Sequence, residues 1–239
     1  MLDCLDWPQT ETDSIALFNR YGDFQKEAFT QAHRLGINTA IGTEMALGIP
    51  DELKNRIESK GQDPDDPAVI RRLYEGTFLR IQRKIPIDYY WLWTPEVWLS
   101  MEPGCPGWEM TTRENVERDL ALIQSAAATV SPPFGFATGG WRLGTRDNPL
   151  WMDERTPKDW AISSINTNLG NDPVEKSYGT MQRPRWVIAW AENDGTAGAH
   201  CCTCWDLQLW VERMFQNTAD AFQYHCEGMM AIHWRTAAI

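Results

Sequence analysis

Glu96 and Glu192 each stand at or just past the end of a short apolar run dense in tryptophan. Two carboxylates so placed are what acid–base cleavage of a glycosidic bond requires. One acid protonates the leaving oxygen, while the other attacks the anomeric carbon or activates water. Trp91, Trp93 and Trp98 flank Glu96, and aromatic walls raise a carboxyl pKa towards a general-acid role. Glu192 closes the run that holds Trp186 and Trp190, and His233-Trp234-Arg235 closes the next. A nearby arginine keeps a carboxylate ionised, as a nucleophile or base must be. The expected roles are therefore acid/base for Glu96 and nucleophile or base for Glu192.

The elements that must position this pair read as alternating helices and buried strands. Residues 14–35 form a helical stretch stopped by Gly36, and 37–44 form a strand. Residues 51–60 and 67–84 are helical, with Asp51 and Asp66 as N-caps and Pro67 at a first helical position. Residues 87–94 are a strand. A helix then runs from Thr111 or Thr112 to about Val130, with Glu114 completing a capping box if Thr111 is the cap. Strands follow at 134–138, 160–166 and 186–192, then a helix at 205–225 and a last strand at 228–234. Runs that are apolar throughout suit parallel strands covered on both faces. With no Gly-rich phosphate loop after any strand, a closed barrel is preferred over a doubly wound sheet. The expected fold is α/β, a parallel (β/α) TIM-type barrel with about six recognisable strands, residues 1–239 forming a single, partial domain.

Active sites of such barrels lie at the C-terminal ends of the strands. Those ends collect Glu44, Trp93, Glu96, Trp141, Asn166, Asn168, Trp190, Glu192, Asp194, His233, Trp234 and Arg235. Glu44, Asn166, Asn168, Asp194, His233 and Arg235 are candidates for binding sugar hydroxyls or orienting the pair. Trp93, Trp141, Trp190 and Trp234 are candidate stacking platforms, although packing alone accounts for a tryptophan as readily.

Composition narrows the partners. Of the 239 residues 43% are apolar and 23% charged, enough for a sizeable core, and thirteen are tryptophan. A net charge of -11, from 33 acidic against 22 basic residues, argues against a nucleic-acid partner. No apolar stretch reaches the roughly 18 residues that span a bilayer, and the opening residues carry no signal-peptide pattern. These observations leave the compartment open. The six cysteines, Cys4, Cys105, Cys201, Cys202, Cys204 and Cys226, form no regular framework. A C-x-x-C at 201–204 beside His200 lacks the second ligand pair of a zinc site. The reading is thus no metal and no cofactor; a metal-dependent hydrolase built on His200, Cys204 and His233 is the competing one.

Numbered so that Glu96 ends a fourth strand, Glu192 ends the seventh and His233 the eighth. This layout resembles the clan A glycoside hydrolases, which place an acid/base Glu after strand four and a nucleophile Glu after strand seven. The segments DYYWLWTPEVW, RPRWVIAWAEND, LQLWVERM and GMMAIHWRT also resemble the barrels of large bacterial glycan-active proteins often found with malectin-like sugar-binding modules. That resemblance runs from about residue 30 to the end. The clan-like layout implies a carbohydrate substrate and a two-carboxylate mechanism, with retention the first expectation and inversion the alternative that a wider carboxylate spacing would favour. Three features depart from the pattern. Pro95 replaces the usual Asn before the acid/base Glu, an insertion lies between Asp194 and Asp206, and 36 residues stand where two strands are needed. The barrel is thus expected to be truncated at its N-terminal side, or completed by further domains or chain segments. A non-catalytic, carbohydrate-binding barrel fragment is the alternative reading.

Overall fold

The structure, a computed structural model, describes residues 10–45, 47–94, 113–140, 143–144, 148–165, 174–190 and 211–232. Within them lie strands β1 (Ala40–Glu44), β2 (Tyr89–Trp93), β3 (Gly135–Gly140), β4 (Ala161–Ile165), β5 (Arg185–Trp190) and β6 (Gly228–Ile232). Helices are α1 (Glu11–Arg34), α2 (Asp51–Glu58), α3 (Pro67–Lys84), α4 (Arg113–Val130), α5 (Trp151–Arg155) and α6 (Val211–Gln223), with a 3-10 turn at Lys176–Thr180.

The six strands make one sheet in the order β1-β2-β3-β4-β5-β6. Ala137 registers with Ala161, Ile162 with Arg185 and Trp186 with Gly228, all in parallel pairs. Between β1 and β2 the bonds advance together from Thr39 with Tyr89 to Met45 with Trp93. Each crossover carries a helix or a 3-10 turn. A doubly wound sheet reverses its strand order at a switch point; here the order never reverses. This is the winding of a parallel (β/α) TIM-type barrel, with six strands among the described residues. Strand β4 is buried at every residue, as a parallel strand covered on both faces must be.

Tertiary contacts divide the chain into two compact units, and β1, β2 and α4 each contribute to both. The first comprises 1–41, 49–90 and 122–135. Its helices begin and end on recognisable signals. Thr10 caps α1 by accepting from the Asp13 N–H, and Asp66 caps α3 by accepting from the Ala68 N–H, with Pro67 in the first turn. Helix α1 closes on Gly36 at φ 73°, with the Gly36 N–H on the His33 carbonyl and the Ile37 N–H on the Ala32 carbonyl. That closure draws Ile37 into the helix end, which is why the strand starts at Ala40. Asp51 is not the N-cap expected of it: Pro50 holds that position and Asp51 is the first helical residue. The core is aromatic. Phe78 meets Tyr90 edge-on at 5.1 Å and Phe134 at 6.1 Å. Below β1 and β2, Asp88 Oδ2 accepts from the Thr39 N–H at 2.7 Å and sits 2.8 Å from His33 Nε2. Burial raises the Asp88 pKa, but the Thr39 N–H and His33 outweigh it and hold the carboxyl below its usual range.

The second unit comprises 42–48, 91–121 and 136–239. Two arginines brace its strands where they begin. Arg183 is buried; it donates to the Thr156 Oγ1 and carbonyl and to the Asp153 carbonyl, and its Nε lies 2.7 Å from Asp153 Oδ1. Lys158 pairs with the other oxygen of Asp153 at 2.7 Å. Arg185 donates to the carbonyls of Tyr178, Met181 and His225, which ties the turn before β5 to the turn before β6. Helix α6 buries a polar face: Arg213, Asn217 and Asp220 point inward, and Asp220 Oδ2 accepts from the Val174 N–H at 3.0 Å.

Candidate functional site

Parallel strands all deliver their C-terminal ends to one edge of the sheet. Among the described residues those ends are Glu44, Trp93 with Thr94, Gly140, Ile165, Trp190 and Ile232. Glu44 is exposed, and the following residue, Met45, bonds from its N–H to the Trp93 carbonyl at 2.8 Å. Glu44 therefore stands beside the end of β2. Thr94 is fully buried, and its N–H bonds to the Gly139 carbonyl at 2.8 Å. Its Oγ1 has no hydrogen-bond partner among the described residues. Alternation along β2 turns Tyr90, Leu92 and Thr94 to one face and Trp91 and Trp93 to the other.

The tryptophan face is the best-defined part of the candidate site. Trp91 and Trp93 lie with ring centroids 5.0 Å apart, and both pack on Ile165 and Ile188 together with Met230. The Trp91 indole Nε1 donates to Ser163 Oγ at 2.9 Å, and Ser163 Oγ in turn donates to the Thr138 carbonyl at 3.3 Å. Thr138 Oγ1 donates to the Leu92 carbonyl at 3.1 Å. Glycines make this reach possible. Gly139 is the register partner of Ser163, and a Cβ there would collide with the Ser163 hydroxyl and backbone oxygen. A Cβ at Gly42 would likewise strike the Trp91 carbonyl oxygen. The result is a half-buried apolar floor of two indoles, with Trp91 fixed by its hydrogen bond to Ser163 and Trp93 packed beside it.

Of the residues singled out by sequence, Glu44 and Trp93 are placed at the C-terminal edge, and Trp190 closes β5 with its backbone in the sheet. Glu96 and Glu192 lie two residues beyond Thr94 and Trp190, outside the described residues. Trp141, Asn166, Asn168, Asp194, His233, Trp234 and Arg235 lie outside them as well, as do His200 and Cys201 to Cys204. Among the described residues no group of three or more His, Cys, Asp or Glu could hold a metal ion. Also among them, no helix is long and apolar enough to cross a membrane. Cys226 is a free thiol whose pKa burial pushes up, the reverse of a reactive cysteine. The Trp91–Ser163 bond and the two bracing arginines were not among the residues singled out from the sequence. The available signal was a serine in a run buried throughout and two arginines just before one, each of which needs a partner once enclosed.

The structure is similar to the GH53 catalytic domain of Ignisphaera aggregans, with a TM-score of 0.50 at 14% sequence identity. The similarity covers 89% of this chain and 66% of that one, just under two thirds of its length. At this identity the likeness is one of fold: the chain has the architecture of a parallel (β/α) TIM-type barrel. No family model and no curated protein matches the sequence.

Proposed function

We propose that the chain forms the greater part of a glycoside hydrolase barrel, with Glu96 as acid/base and Glu192 as nucleophile. The observation that carries this reading is the strand order. Because the sheet runs β1 to β6 without reversal, Glu96 and Glu192 follow the C-terminal ends of β2 and β5, strands three places apart on one edge. In an eight-stranded count that begins at the third position, these are strands four and seven. The likeness of fold to a GH53 catalytic domain supports the same assignment.

In the proposed reaction Glu96 protonates the glycosidic oxygen while Glu192 attacks the anomeric carbon to form a glycosyl ester. The aglycone leaves as an alcohol. Glu96, now ionised, takes a proton from water, which hydrolyses the ester and frees Glu192. Trp93, with Trp91 beneath it, offers an apolar surface for a sugar ring, and Glu44 at the neighbouring strand end offers a hydroxyl acceptor. The substrate is an oligo- or polysaccharide, of the kind handled by bacterial glycan-active barrels that accompany malectin-like modules. A closed barrel needs two strands beyond the six described, and the proposal includes a further chain segment that supplies them.

A panel of poly- and oligosaccharides, scored by released reducing ends, tests the assignment. Turnover by the native chain that is lost in both Glu96→Gln and Glu192→Gln, with the circular dichroism spectrum unchanged, supports it. Binding of the same glycans with no turnover by any of the three proteins would mark a carbohydrate-binding barrel instead.

A further inference from the structure

Helix α1 carries two apolar stripes, and one of them is turned away from its own unit. Gly22 is buried and Phe29 and Ala32 are half-buried on the inward side. Leu17, Tyr21, Phe24, Ala28 and Leu35 are exposed; Tyr21 stands 58%, Phe24 65% and Leu35 67% open to solvent. Their intervals of four, three, four and seven residues are those of the a and d positions of a coiled-coil helix. Tyr21 and Phe24 already adjoin, with ring centroids 6.4 Å apart. Taking Tyr21 and Ala28 as a positions, the residue before each a position in the repeat is Asp13, Arg20, Glu27 and Arg34, all exposed and alternating in charge. Local contacts on these four are few: Asp13 accepts from the Thr10 hydroxyl, and Arg34 reaches Gln31 at 3.3 Å.

We propose that α1 is a dimerisation helix, which pairs antiparallel with α1 of a second copy of this chain. The flanking charges select both the occupant and the direction. Laid antiparallel with Tyr21 over the second copy's Phe24, Leu17 meets Ala28, Arg20 meets Glu27 and Asp13 meets Arg34. Every flanking charge then faces its opposite, and two-fold symmetry repeats each pair. Laid parallel, the same flank meets Phe18, Gln25 and Ala32, and no charge is paired. The helix dipoles add to the antiparallel preference, since each acidic first turn lies against a basic last turn. This surface is independent of the proposed glycosidase chemistry.

Sedimentation equilibrium on the purified chain tests the pairing. The native chain is expected to form a concentration-dependent dimer. The double variant Tyr21→Lys, Phe24→Lys is expected to be monomeric with its circular dichroism spectrum unchanged, because both side chains are exposed. Arg20→Glu, which sets like charges against each other twice, should weaken association about tenfold. Adding Glu27→Arg should restore it. A chain that stays monomeric at high micromolar concentration overturns the proposal. So does a dimer indifferent to Tyr21 and Phe24, or one that the second charge reversal fails to rescue.

Discussion

The Trp91 indole reaches past β3 to bond Ser163 on β4, 72 residues along the chain, at 2.9 Å. A side chain on the intervening strand would block that reach, and Gly139 supplies none. Two substitutions here should therefore differ in cost. Gly139→Ala drives a methyl into the Ser163 hydroxyl and backbone oxygen, and overpacking of this kind costs about 1–3 kcal/mol. Ser163→Ala removes the bond accepted from a half-buried indole, worth about 0.5–1.5 kcal/mol, and a weaker 3.3 Å bond to the Thr138 carbonyl, whose sheet hydrogen bonding it leaves intact. Urea denaturation of the two variants should show the alanine at 139 to be the more damaging; the opposite ranking would mean the strands are not held this close.

Arg183 is held on all sides by Asp153, Thr156 and Trp160 at the start of β4 and β5. Burial pulls its pKa down and Asp153 pulls it back, but a guanidinium stays charged at any working pH. Arg183→Met leaves three carbonyls and a carboxylate short of their donor, and breaking a buried pair costs about 3–5 kcal/mol. Lys158 retains part of the Asp153 charge balance, so the lower figure is expected. A thermal midpoint lower by about 6–12 °C checks it, at about 2–4 °C per kcal/mol for a chain of this size. A variant as stable as the native chain would contradict the brace.

Asp88 makes a pH prediction with a defined sign. Its folded pKa lies below that of the unfolded chain, so its contribution is full above the ordinary carboxylate value and is lost as pH falls through the lower folded value. The stability gap between the native chain and Asp88→Asn should shrink as pH falls below about 4. Unfolding free energies across this acid range decide the matter. A gap that persists unchanged to the lowest pH would show that charge on Asp88 contributes nothing.

His225 and Ser131 adopt left-handed backbone angles, φ 53° and 50°, where L-residues pay a steric cost. His225 closes α6 as Gly36 closes α1, with the Cys226 N–H on the Ala221 carbonyl. His225→Gly keeps the carbonyl that Arg185 holds and relieves the strain, so it should stabilise by about 0.5–1 kcal/mol, seen as a higher urea midpoint. A lower midpoint would mean the imidazole makes contacts that outweigh the backbone term.

Much of the fold was legible because the strands of a parallel sheet shielded by its crossovers read as unbroken apolar runs, and 89–93 and 186–190 do. The limits of α3 were legible too, since Asp66 and Pro67 are local signals that need no tertiary context. Asp51 shows the weakness of such signals: a cap residue one place too late becomes a first-turn acid. Tertiary relations were hidden. Helix α5 is five residues long, too short for a periodic pattern, and the inward polar face of α6 reverses the usual rule that the apolar side is buried. The Thr39–Asp88 latch pairs residues 49 apart in sequence, with nothing local to announce it. Of the site, Trp93 and Glu44 are found at the expected edge, while the two glutamates lie beyond the described residues.

The separation of the Glu96 and Glu192 carboxyl groups, measured in a crystal structure, decides whether the pair can act on one glycosidic bond. A retaining pair places them about 5–5.5 Å apart across one shared cleft, the expected result. A spacing of roughly 6.5–9.5 Å would replace retention by inversion. Carboxylates directed to different faces would contradict the glycosidase reading altogether.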